Sequence, residues 1–162
     1  MKRLILCIVG ILIVILENTV TNYIDVFGIS LNILLIYMTI ISLYIDELEV
    51  GIIATVLGII KDITVGAMFG INAITLFIIS FSISHLRKKI YKENYITILV
   101  LVFVTSIVDT VTNMVLVRVL YIVDTSSIMV YKRFLIYPII NCIMSIFVYK
   151  LSKESISVLK ES

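Results

Sequence analysis

The sequence has no tryptophan, one proline, one histidine and two cysteines, and only 15% of its residues are charged. Each scarcity excludes something. Cys7 and Cys142 both lie within apolar runs, so they give no disulfide framework, and no metal-ligand or cofactor spacing can be read from them. A lipoprotein reading of Cys7 is disfavoured because Leu6 stands where signal processing needs a small side chain. No H-E-x-x-H, P-loop, nucleophile elbow or paired-aspartate lipid-phosphate pattern occurs, which argues against an enzyme. A net charge of +2 gives no electrostatic footprint for nucleic acid. No Pro- or Ser-rich linker divides the chain. Above all, too few polar residues remain to cover a water-facing surface.

What is present is hydrocarbon. The chain is 61% hydrophobic, with a mean hydropathy of +1.19, against about 45–50% apolar residues in ordinary soluble domains. A helix crossing the bilayer needs about 20 mainly apolar residues. Candidate spans run over residues 4–23, 29–45, 50–65, 69–86, 95–117 and 134–151. They predict an all-α, polytopic transmembrane bundle of about six helices, a single integral membrane domain over residues 1–162 in the lipid bilayer. The alternating pattern of a membrane β-barrel is absent.

Lys and Arg set the orientation. With the N-terminus inside, nine of the 13 basic residues fall on the cytoplasmic side, led by Arg87, Lys88, Lys89 and Lys92. Lys61, Arg118, Lys132 and Arg133 fall outside. Both termini are therefore expected in the cytoplasm. Tyr23, Tyr44, Tyr91, Tyr95, Tyr131 and Tyr149 lie near span ends and take the interfacial role that tryptophan would otherwise share.

Ionisable groups within spans are costly and mark candidate sites. Glu17 and Asn18 interrupt the first span. Asp109 lies midway along the fifth, with Asn113 four residues on and Ser106 on the same face. This polar patch reads either as a proton or substrate path or as interhelical hydrogen bonding. The absence of an obvious second charge to complete a relay favours the latter. Lys61 and Asp62 are expected near the outer interface, with Lys61 snorkelling. His85 reads as an interfacial, solvated residue. Pro138 either kinks the sixth helix or sits in its first turn. Gly51 and Gly58, two helical turns apart, mark a smooth face for close helix approach. Gly66 and Gly70 have GxxxG spacing but better suit a tight turn before the fourth span.

The stretch from Gly51 to Ala73 resembles the rod shape-determining MreD family. That family carries a glycine-spaced helix, a Gly-Leu-x-x-Asp motif, a further glycine and a Leu-Gly-x-Asn-Ala turn into the next helix. Gly58, Asp62, Gly66, Gly70, Asn72 and Ala73 match those positions, whereas Lys61 stands where the family often has Gln and Phe69 where it often has Leu. Glu17-Asn18-Thr19 resembles the polar break closing the family's first helix, with Glu17 a departure. The resemblance implies a bacterial inner-membrane, non-enzymatic scaffold of the cell-wall elongation machinery. Its implied partners are membrane-anchored MreC and, through it, MreB and the peptidoglycan glycosyltransferase and transpeptidase. Gly51, Gly58, Asp62, Gly66, Gly70 and Asn72 then form a helix-packing or partner-docking motif. The family's helices also resemble the substrate-binding subunits of energy-coupling-factor transporters. This sustains an alternative, a vitamin-like ligand bound near Glu17, Asp109 and Asn113.

Overall fold

The computed structural model describes residues 2–21, 31–65, 69–90, 94–121 and 127–160. Among them are six α-helices and no strand: α1 (Lys2–Thr21), α2 (Ile33–Ile41), α3 (Glu47–Val65), α4 (Ile71–Leu86), α5 (Tyr95–Tyr121) and α6 (Ser127–Lys160). A short 3-10 turn, Arg87–Lys89, closes α4. Gly66, Tyr23, Tyr91 and Lys92 lie outside the described residues.

The helices are two-faced, but in the sense that lipid demands. On α1, Leu6, Val14 and Glu17 are buried, while Leu4, Ile8, Leu12 and Ile15 are each more than half exposed. The outward stripe is apolar from Leu4 to Leu16 and the inward stripe carries the charge, the reverse of a water-soluble helix. Exposed apolar residues recur along α5 (Ile96, Val100, Val119) and α6 (Leu135, Ile139, Ile143, Phe147). Tyr95–Val119 and Arg133–Ser152 are each long and apolar enough to cross a bilayer, and α1 contributes the shorter apolar stretch Leu4–Thr19.

The second candidate span is corrected. Among the described residues of 29–45, nine are helical, Ile33–Ile41. At 1.5 Å per residue they rise about 14 Å, half the roughly 30 Å of hydrocarbon. Leu34 through Ile41 are all buried, because α2 packs against α1, α4, α5 and α6 at the centre of the bundle. A run that is apolar all round signals burial as well as it signals lipid. The sixth helix also departs from expectation. It starts at Ser127, so Pro138 lies inside it rather than in its first turn, and Lys132 and Arg133 are helical rather than in a loop. Pro138 carries no N–H, so the helix loses one backbone bond there.

Contacts fix which helix ends lie together. The Arg87 guanidinium pairs with Asp46, His85 Nδ1 stands 3.2 Å from Glu47 Oε1, and Ser84 Oγ donates to the Ile45 carbonyl at 2.6 Å. The α2–α3 turn and the end of α4 therefore share one end of the bundle. His85 is exposed there, with a carboxylate beside it. Lys61 and Asp62 are at the opposite end of α3.

Candidate functional site

Lys61 does not snorkel. It is 7% exposed, and its Nζ donates to Glu17 Oε1 at 2.7 Å and to Asn32 Oδ1 at 2.8 Å. The expectation failed because it treated α3's end as a membrane surface, whereas α1 and the start of α2 cover it. Glu17, 4% exposed, also accepts the Leu34 N–H at 3.0 Å through Oε2, and Asn32 Oδ1 accepts the Leu35 N–H at 3.0 Å. The first amides of α2 thus end on a carboxylate and an amide oxygen rather than in hydrocarbon. A helix N-terminus has unpaired donors and positive partial charge, so a carboxylate belongs there. One ion pair therefore ties α1, α2 and α3 together, and it gives Glu17 the opposite charge that the sequence alone did not reveal.

Asp62, the next residue, faces the other way. Its Oδ2 accepts from the backbone N–H groups of Gly70 (3.0 Å) and Ala73 (3.2 Å). Oδ1 accepts from the Asn72 N–H (3.1 Å) and the Asn72 side-chain amide (2.8 Å). Asp62 thus caps α4 from across the α3–α4 turn, in place of Gly70 at the N-cap, which has no side chain to cap with and whose missing Cβ permits φ +94°. Asp62→Asn replaces an acceptor oxygen with a donor facing backbone N–H groups. A loss of about 1–2 kcal/mol is expected, read as a lower melting temperature of the purified protein with insertion retained.

Gly58 is where α3 and α4 come closest. A Cβ there would stand 2.4 Å from Ala73 Cα and 2.7 Å from Ala73 N. Gly51, on the same face, would place a Cβ 2.9 Å from the Phe77 ring. The smooth face is therefore occupied by the chain's own α4. The residues of the motif that are described, Gly51, Gly58, Asp62, Gly70 and Asn72, all lie along this one internal seam.

The fifth helix carries the second polar cluster. Asp109, 6% exposed, accepts from the Tyr137 hydroxyl at 2.7 Å through Oδ2 and from Asn113 Nδ2 at 3.0 Å through Oδ1. Asn141 Nδ2 donates to Ser106 Oγ at 2.9 Å, and Thr39 Oγ1 donates to Thr105 Oγ1 at 3.2 Å. The buried groups of α5 thus bond to α2 and α6. Asn18, beside Glu17, is half-buried and lies outside these contacts.

Lys61, Asn32, Tyr137 and Asn141 were missed as members of the site. A signal for Lys61 was available: Glu17 and Lys61 are opposite charges near the ends of two spans that run in the same direction.

Five helices with apolar outer faces around a buried sixth, and inward charges that bond helix to helix, define an all-helical membrane protein among the described residues. The family model of the rod shape-determining protein MreD matches residues 1–155, and the chain belongs to that family. Membership implies a role in rod shape determination and a place in the bacterial inner membrane, and the family is not a known enzyme family. No curated protein and no solved structure matches the chain.

Proposed function

We propose that this chain is a non-enzymatic scaffold of the cell-wall elongation machinery, one multi-pass membrane domain with both termini in the cytoplasm. It docks membrane-anchored MreC and so links MreB to the peptidoglycan glycosyltransferase and transpeptidase. The observation that carries this reading is the use of the buried polar groups. Glu17, Lys61, Asp62 and Asp109 each bond to another helix, a rigidifying arrangement. The exposed helix faces remain apolar and suit contact with the transmembrane helix of a partner. Docking falls on those outer faces, because α4 already covers Gly51 and Gly58. The alternative reading, a small-molecule binding subunit of a transporter, has only the family's fold-level resemblance to energy-coupling-factor binding subunits behind it, and fold does not fix function.

Photo-crosslinking residues placed singly at exposed positions on different helices, such as Ile8, Ile52, Val100 and Ile143, test this in cells. MreC is expected to crosslink from one contiguous face and not from the others. No crosslink to MreC from any position would overturn the docking reading.

A further inference from the structure

Burial along the α5–α6 pair stops at one level. On α5 a buried residue recurs at each turn, Ile98, Val102, Ser106, Asp109 and Thr110, and none from Val111 to Val119 is buried. On α6 the buried residues run from Ser152 back through Val148, Ser145 and Asn141 to Tyr137, and none from Arg133 to Ile136 is buried. The cause is α2. It begins beside the Glu17–Lys61 pair and runs inward, to the end of the bundle where Ile45 meets Ser84 and Arg87 meets Asp46. Thr39 of α2 reaches Thr105, one turn inward of Asp109. Helix α2 therefore backs only the inner half of the α5–α6 pair. The outer half has few buried contacts to hold it, the condition for local opening.

Pro138 falls at the same level. Its missing N–H leaves the Phe134 carbonyl without a helical partner, and its ring crowds that carbonyl, so a helix bends there. Inward of Pro138, α6 is tied to α5 three times. Asn141 donates to Ser106 at 2.9 Å, Cys142 to the Leu99 carbonyl at 3.5 Å, and Tyr149 meets Tyr95 edge-on. Outward of Pro138, the side-chain bond from α6 to another helix among the described residues is that of the Tyr137 hydroxyl to Asp109, at 2.7 Å. The other Asp109 oxygen accepts from Asn113 of its own helix, which fixes the carboxylate toward Tyr137. The bending point and this bond are adjacent residues.

We propose that α6 hinges at Pro138, and that the Tyr137–Asp109 bond is the latch holding its outer arm, Ser127 to Tyr137, against α5. With the latch made, the arm lies along α5. With it broken, the arm swings about Pro138 while the inner half, clamped on α2, stays in place. The bundle thus has two shapes that differ only in its outer half. The device is intrinsic to the chain and does not rest on the docking of MreC.

Double electron–electron resonance on the full-length protein in phospholipid nanodiscs tests it. Cys7→Ala and Cys142→Ser clear the native thiols, and serine keeps a donor toward the Leu99 carbonyl. Nitroxides at Ile63→Cys and Leu135→Cys report the outer half, and nitroxides at Ile52→Cys and Ile146→Cys the inner half, all four positions being exposed. Tyr137→Phe keeps the ring and removes the hydroxyl. It should raise the population of displaced outer distances on the order of tenfold and leave the inner distance unchanged. Adding Pro138→Ala, which restores the helix N–H, should return the outer distance to that of the parent. An outer distance unmoved by Tyr137→Phe overturns the latch, and one that Pro138→Ala does not restore overturns the hinge. Equal broadening of both pairs also rejects the proposal, because it means general loosening. Should Tyr137→Phe fail to insert, Pro138→Ala alone decides: it should narrow the outer distribution, and an unchanged width rejects the hinge.

Discussion

Lys61→Met is expected to destabilise the bundle by about 3–5 kcal/mol, because it leaves the Glu17 carboxylate buried beside methionine. Methionine keeps most of the lysine stem, so little packing is lost and the effect isolates the charge. Glu17 would retain only the Leu34 N–H, and Asn32 Oδ1 only the Leu35 N–H. The damage is then not local, since the start of α2 depends on these same two acceptors. Glu17→Gln in the Lys61→Met background should recover most of the loss. A neutral glutamine oxygen still accepts from Leu34 and has no unpaired charge to bury. The double-mutant cycle, read by thermal unfolding in detergent, should give a coupling of about 2–3 kcal/mol. Additive effects of the two changes would mean that the pair contributes nothing specific.

The second large effect is at Gly58. Any side chain there drives a Cβ into the backbone of Ala73 and Asn72, and a backbone cannot yield as a flexible side-chain end can. Gly58→Leu is expected to cost more than about 3 kcal/mol, the upper range for overpacking. Forcing α4 away from α3 also pulls Gly70, Asn72 and Ala73 off the Asp62 carboxylate. The variant should therefore fail as a fold before it fails as a binding partner. The check is its yield and melting temperature in detergent, with Gly51→Ala as the milder neighbour, where a Phe77 ring rather than backbone must shift. Full thermal stability in Gly58→Leu would contradict the α3–α4 seam.

Much of this was legible in the sequence. Apolar runs located the helices, and the glycine spacing on α3 marked a close-packed face. The family motif pointed to the α3–α4 turn, where Asp62, Gly70 and Asn72 act together. Other features were hidden for physical reasons. The 29–45 run measures hydrophobicity, and a short helix buried on every side is as hydrophobic as one crossing the bilayer. Adjacent residues on a helix point about 100° apart, so Lys61 and Asp62 serve different neighbours. Lys61 meets a carboxylate 44 residues away, a pairing that no local spacing marks. Tyr137 and Asn141 read as ordinary span residues because their partners, Asp109 and Ser106, are on another helix.

The central claim is that this chain maintains rod shape as a membrane scaffold. It is tested most directly by depleting the protein in its native host and following cell width by microscopy, with restoration from a plasmid. Widening and rounding before lysis is predicted, with rescue by the parent sequence and none by Gly58→Leu. Rods of unchanged width after full depletion, with a growth defect relieved by a particular nutrient, would contradict it.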